Sequence, residues 1–360
     1  MKKRVLLGMS GGVDSSTSAI CLLEKGYEVI GCTMRLWEPG DENPDCESSC
    51  CGVTAIYDAK RVCDKLGIPH YTLNYKKEFK CKVIDNFIEE YRNAHTPNPC
   101  IECNKHLKFG SLYQKAKELE CDYIATGHYA KIEFSEKYNQ YVLKKSNEEK
   151  KDQTYFLYVM PKEELEHIIF PLQDNKSKEE TRKKAEENGL IVARKKDSQE
   201  ICFIPDNNYH TFLKQNMEKQ KPGNIILKTG EILGKHTGLA NYTIGQRKGL
   251  HISYKEPLYV VKLDIINNQV IVGTENDLYS KELTATQLNW LIKQIDPKVP
   301  IKCKAKVRYR AKEEEAIVEE KEKGKVKVIF TKPQRAITPG QSVVFYDEEG
   351  IVLGGGIIGT

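Results

Sequence analysis

The sequence predicts an α/β fold: a doubly wound parallel-sheet domain followed by two small β-rich, barrel-like domains. Three observations carry that expectation. Apolar strand-like runs alternate with helix-like runs through residues 1–130, the pattern of a parallel sheet with crossover helices. A loop of glycine and serine, Ser10-Gly11-Gly12-Val13-Asp14-Ser15, joins the first strand to the first helix. Beyond about residue 205, short Val, Ile and Tyr runs separated by glycine turns replace the helices, as in small barrels. A chain of 360 residues exceeds one typical core. The changes of character divide it at 1–205, 206–285 and 286–360, the second break falling in the stretch that ends at Asp296-Pro297 and Pro300.

Each element has its own signal. Strands are expected at 5–9, 28–33, 70–74 and 123–126, and helices at 15–25, 55–66, 79–91 and 107–119. The two glycines of the first loop let the backbone approach an anion, and the amides of the following helical turn supply partial positive charge. The loop lacks the Gly-Lys-Ser/Thr ending of a kinase-type phosphate loop. That points to an enzyme holding the pyrophosphate of ATP while the α-phosphorus is attacked. In a doubly wound sheet Thr126-Gly127-His128-Tyr129 ends a strand beside this loop. Residues 177–188 read as a Ser-capped helix closed by Gly189. Later strands are expected at 224–227, 259–263, 269–272, 304–310, 325–330, 342–346 and 351–353, with the Glu/Lys run 313–325 as a hairpin loop.

Composition narrows the class. Hydrophobic residues make up 39% and charged residues 30%, and no apolar run approaches the roughly 20 residues of a membrane span. No secretory signal is expected, and twelve cysteines without one imply a reducing, cytoplasmic setting. The formal charge is +5, yet residues 301–335 alone hold twelve Lys/Arg against six Asp/Glu. As a strand, Lys304, Lys306, Arg308 and Arg310 would share one face suited to phosphates, with Tyr309 beside them for stacking; a solvated lysine-rich face is the plainer reading. Cys100 and Cys103 follow Thr96-Pro97-Asn98-Pro99, whose prolines argue for a stiff loop. Such a pair binds metal, forms a disulfide or holds a reactive thiolate. The spacing of Cys46, Cys50 and Cys51 does not complete a zinc ribbon. From its apolar flanks, Cys202 reads first as a core cysteine.

Taken in order, the motifs resemble a known family, the tRNA-specific 2-thiouridylases of the PP-loop ATP pyrophosphatases. The resemblance covers almost the whole chain. It rests on Gly8-Met9-Ser10-Gly11-Gly12-Val13-Asp14-Ser15, Thr96-Pro97-Asn98-Pro99 with Cys103-Asn104-Lys105, Ala125-Thr126-Gly127-His128-Tyr129-Ala130 and Lys151-Asp152-Gln153. Further matches are Asp197-Ser198-Gln199-Glu200-Ile201-Cys202-Phe203-Ile204, Thr243-Ile244-Gly245-Gln246-Arg247-Lys248-Gly249, Arg308-Tyr309-Arg310 and Pro339-Gly340-Gln341.

The resemblance implies ATP-dependent thiolation of C2 of the wobble uridine in tRNA, releasing AMP and pyrophosphate. ATP would be held by Gly8 to Ser15, Met34 and Gly127, with Mg²⁺ neutralising charge and Asp14 contributing. The catalytic pair would be Cys202, carrying persulfide sulfur from a donor protein, and Cys103, which resolves it as a disulfide. The implied tRNA contacts are Asn98, Pro99, Cys100, His128, Lys151, Asp152, Gln153, Arg308, Tyr309 and Gln341. One departure matters: the position of Cys100 is an aspartate in the best-known pattern. Cys100, Cys103 and Cys202 could therefore instead ligate a 4Fe–4S cluster that delivers sulfur. Two other classes compete. A PP-loop amidating ligase has no use for the cysteine pair, and a non-catalytic RNA-binding module has none for the phosphate loop.

Overall fold

The computed structural model describes residues 2–36, 53–196, 201–204 and 208–359. Cys46, Cys50, Cys51 and the run 197–200 of the sequence motif lie outside them. The first sheet is parallel throughout. Its strands are β1 (Arg4–Gly8), β2 (Glu28–Arg35), β3 (His70–Asn74), β4 (Tyr123–Thr126) and, further along the chain, a two-residue edge at Ile168–Ile169. The order runs from β3 through β2, β1 and β4 to that edge. Val5, Leu6 and Leu7 are wholly buried, as a strand covered on both faces requires. The order reverses between β1 and β4, where Gly8 pairs with Thr126, so the ligand crevice opens at their carboxyl ends.

Helices α1 (Val13–Glu24) and α2 (Val53–Leu66) cover this sheet, close to where the sequence places them. The next two helical segments differ from expectation. One runs as α3 (Lys76–Phe79), a wide π-type stretch Lys80–Ile84, and α4 (Asp85–Arg92). The other begins well before residue 107, as α5 (Pro99–Glu102), continues through a π-type stretch Cys103–Ser111, and ends as α6 (Leu112–Glu118). Cys100 and Cys103 are therefore on a helical run, not on a stiff loop. A proline at the first helical position lacks only an amide that would be unpaired anyway, and the Asn98 side chain caps by accepting from the Cys100 amide at 3.2 Å.

A hairpin of β5 (Lys131–Ser135) and β6 (Gln140–Lys144) follows β4; the Ile168–Ile169 edge is β7. Helix α7 (Lys178–Glu187) has the expected cap, Ser177 accepting from the Glu180 amide. After α8 (Tyr209–Asn216), β8 (Gly223–Leu227), β9 (Ile232–His236), β10 (Tyr259–Asp264) and β11 (Gln269–Gly273) form a four-stranded sheet. A closed six-stranded barrel then comprises β12 (Tyr279–Trp290), β13 (Ile301–Lys306), β14 (Glu314–Glu322), β15 (Lys325–Arg335), β16 (Ser342–Tyr346) and β17 (Val352–Ile358).

Three expectations are corrected here. β12 is one barrel strand running across residue 286, so no break falls there. The Glu/Lys run is strand β14, because Ala316 and Val318 point into the barrel while the charges stay outside. β13 stops at Lys306, and the chain turns through Arg308 to Ala311, whose amide donates to the Arg308 carbonyl. The four cations therefore share no strand face. Lys304 pairs with Glu348 at 2.6 Å, and Arg308 is tied to the barrel's own backbone.

Barrel and first sheet are packed together. Leu6, Ile101, Tyr155 and Tyr158 belong to one buried cluster with Leu291, Val344, Tyr346 and Val352. Tyr155 donates to the Ser342 carbonyl at 2.9 Å, and the Tyr158 and Ser342 hydroxyls meet at 2.9 Å. No helix among the described residues is long and apolar enough to cross a membrane.

Candidate active site

The glycine loop sits at the carboxyl end of β1 and is braced from several sides. Ser10 donates its amide to Ser15 Oγ at 3.1 Å, and Ser16 Oγ donates to the Gly12 carbonyl at 2.8 Å. The Met9 amide reaches the Cys32 carbonyl at 2.7 Å, and the Met9 carbonyl accepts from Thr33 Oγ1. No side chain caps helix α1, whose N-cap is Gly12, so its leading amides are left for an anion. Gly11 has φ +66°, and a Cβ there would lie 2.2 Å from the Ala55 carbonyl oxygen. A Cβ on Gly127 would lie 2.8 Å from the Ser15 amide nitrogen. Gly11 and Gly127 thus let the backbone of the loop and of the first turn of α1 pack directly on Ala55 and on the end of β4, a close approach that suits a phosphate site.

Asp14 is committed elsewhere. Lys178 Nζ contacts its two carboxylate oxygens at 2.6 and 2.7 Å, and the Tyr129 hydroxyl donates to it at 3.0 Å. The expected Asp14 contribution to Mg²⁺ is not supported by this geometry; a cation would come with the nucleotide's own phosphates. Lys178, buried at the start of α7, and Lys195, which donates to the Gly11 carbonyl at 3.1 Å and pairs with Asp58 at 2.8 Å, brace the glycine loop from outside it, and sequence reasoning missed both. Lys178→Met leaves a half-buried carboxylate beside an anion site. It should raise the KM for ATP about tenfold, read from initial rates against ATP.

Cys103, at the start of the π-type stretch, and Cys202 both pack against an apolar cluster of Leu36, Phe79, Phe87, Leu107 and Phe203, and Met34 of β2 packs against the same cluster. Cys202 is only half-buried, so it is not the simple core cysteine its flanks imply. Cys100 is exposed. Among the described residues no group of three or more His, Cys, Asp or Glu is arranged to hold a metal ion, so Cys100, Cys103 and Cys202 do not present a cluster ligand set.

The residues expected to contact tRNA divide into two kinds. Several are structural as they stand. Asp152 is buried, accepting from the Ser146 amide at 3.1 Å and Thr154 Oγ1 at 2.6 Å, and burial raises its pKa against those two bonds. Gln153 pairs with Tyr129 through two 2.9 Å bonds. Gln341 donates to the Thr96 carbonyl at 2.7 Å, and Thr96 donates its amide to the Pro339 carbonyl at 2.9 Å, so a barrel loop clamps the segment leading to Pro99 and Cys103. Arg308 donates to the Ala336 carbonyl and to Thr338 Oγ1. Tyr309 lies against Phe156, ring centroids 4.4 Å apart. Asn98 and Lys151 are part-exposed at the surface.

His128 is buried between Phe109 and Phe170, with Nδ1 2.7 Å from Thr126 Oγ1 and Nε2 3.2 Å from Lys108 Nζ. An ammonium only donates, so Nε2 accepts and Nδ1 carries the proton. Burial, then Lys108, holds its pKa well below 6.5. The unfolded chain takes up this proton first as pH falls. The stability contribution is therefore whole above about pH 6.5 and is lost below it, at up to about 1.4 kcal/mol per pH unit. Burial lowers His70 and His236 in the same direction. Urea midpoints between about pH 6.5 and 5.5 should fall in the parent and fall less steeply in His128→Asn.

Comparison with known proteins agrees with this architecture. Residues 3–206 match the tRNA methyl transferase HUP domain, 210–274 the tRNA methyl transferase PRC-barrel domain and 280–358 the aminomethyltransferase beta-barrel domain. The tRNA-specific 2-thiouridylase MnmA of Acetivibrio thermocellus is 53% identical over 360 residues, covering 99% of each chain. Those of Clostridium beijerinckii and Clostridioides difficile are 50% and 49% identical, covering 99% of this chain and 99% and 98% of their own. With full-length identity at this level and all three domains matched in order, the chain belongs to the tRNA-specific 2-thiouridylase family.

Proposed function

We propose that this enzyme exchanges the C2 oxygen of the wobble uridine of tRNA for sulfur, at the cost of one ATP. A urea-like oxygen is a poor leaving group, so it first attacks the α-phosphorus of ATP and pyrophosphate departs. The loop from Gly8 to Ser15, with Met34 and Gly127, holds the nucleotide, and the uncapped end of α1 faces the charge that develops on the phosphates. Mg²⁺ arriving with the nucleotide would supply further charge neutralisation.

Sulfur then attacks C2. Its carrier is a persulfide on Cys202, loaded by a sulfur-donor protein; the terminal sulfur bonds to C2 and AMP leaves with the original oxygen. The Cys103 thiolate next attacks Cys202 Sγ, breaking the Sγ–S bond, releasing thiolated tRNA and forming a Cys103–Cys202 disulfide. An external thiol reductant supplies two electrons to reset the pair. The observation that carries this reading is the packing of Met34, Cys103 and Cys202 against one apolar cluster at the end of β2. That cluster would limit water, which competes with sulfur for the activated carbon. Asn98, Pro99, Cys100, His128, Lys151, Asp152, Gln153, Arg308, Tyr309 and Gln341 are proposed to form or support the tRNA face. With ¹⁸O at C2 of the target uridine, the label should appear in AMP in step with thiolation. Label in inorganic phosphate or water instead would overturn the adenylation route.

A further inference from the structure

The segment Thr243 to Gly249 takes no part in the chemistry above, yet it is built as a rigid presenter of charge. Gly245 and Gly249 have φ +88° and +82°, values that suit glycine. The Gly245 amide donates to the Val260 carbonyl at 2.8 Å, and the Val260 amide donates back to the Gln246 carbonyl at 2.9 Å. The Gln246 side chain closes the tip, accepting from the Thr243 amide and donating to the Lys248 carbonyl, both at 3.0 Å. These bonds fix the backbone on either side of Arg247 and Lys248, whose side chains stand exposed. Among the described residues neither has an acidic partner.

The surroundings favour an anion. A shallow cleft of about 390 Å³ beside the tip is lined by Arg247, His251, Tyr254, Lys255 and Glu256, with one carboxylate against two fixed cations. The tip also abuts the barrel. A Cβ on Gly245 would lie 3.1 Å from Ala336 Cβ, and the Ala336 carbonyl accepts from Arg308. The tip therefore sits against the barrel segment that Arg308 braces. Long-range phosphate contact needs unpaired cations on a stiff support, because each ordered side chain otherwise costs entropy.

We infer that the Arg247–Lys248 tip is a sequence-independent docking site for the sugar-phosphate backbone of the RNA substrate, away from the reacting base. This rests on the reading of tRNA as substrate. The test uses the full chain and unmodified tRNA, with Kd measured across a series of salt concentrations. R247E/K248E should weaken binding about tenfold or more near 150 mM salt and reduce the slope of log Kd against log salt by about two. R247Q/K248Q, which adds no negative charge, should do the same to a smaller extent, and R247K/K248R should match the parent. Because both side chains are exposed and unpaired, melting temperatures should not move. Parent-like Kd and slope in R247E/K248E and R247Q/K248Q, with the parent binding and thiolating tRNA, would overturn the docking site alone. A parent chain that neither binds nor thiolates tRNA would overturn the functional reading and this inference with it.

Discussion

Cys202→Ser is expected to lower tRNA thiolation by at least about 10³-fold while leaving tRNA-dependent pyrophosphate release nearly intact. A hydroxyl cannot carry a transferable sulfur, so the second half of the reaction stops. In the proposed mechanism the first half depends on the glycine loop and Met34, whose chemistry the substitution leaves unchanged. Cys103→Ser should fail differently. Sulfur reaches C2, but no thiolate is present to attack Cys202 Sγ, so tRNA stays linked to Cys202 through the transferred sulfur. A covalent enzyme–tRNA species that an added thiol releases as thiolated tRNA is the expected product, visible on a denaturing gel. Equal loss of pyrophosphate release in both variants would instead mean that the cysteines serve adenylation.

Gly127→Ala is the second large effect. Its new methyl group would meet the Ser15 nitrogen at 2.8 Å and the Asp14 carbonyl carbon at 2.9 Å, both backbone atoms of helix α1's first turn. Neither can rotate away as a side chain does, so the loop must shift. Overpacking of this kind costs about 1–3 kcal/mol, and a displacement of order 1 Å at a phosphate site costs about 10²-fold in rate. Pyrophosphate release should fall by that factor, with the melting temperature a few degrees lower. A full-rate Gly127→Ala enzyme would show that the nucleotide does not depend on this close approach.

The first sheet was readable because its buried strands are unbroken apolar runs and its phosphate loop announces itself with paired glycines. Sequence pattern and structure part where one residue serves two rules. Pro99 reads as a breaker by itself, although with Asn98 ahead of it the same residue starts a helix. Strand β14 hid behind its charges, since a barrel strand needs only its inward residues to be apolar. Lys178 and Gln341 could not be placed from local pattern at all. Their partners, Asp14 and Thr96, are 164 and 245 residues away in sequence. The cysteine pair was visible only through its motifs, for each thiol taken alone looks like packing.

The most direct test of the central claim is mass spectrometry of nucleosides from unmodified tRNA treated with the enzyme, ATP, Mg²⁺ and a persulfide donor. The account predicts one sulfur-for-oxygen exchange at C2 of the wobble uridine, dependent on ATP and absent with Cys202→Ser. Thiolation that persists without ATP, or in the Cys202→Ser enzyme, would contradict it.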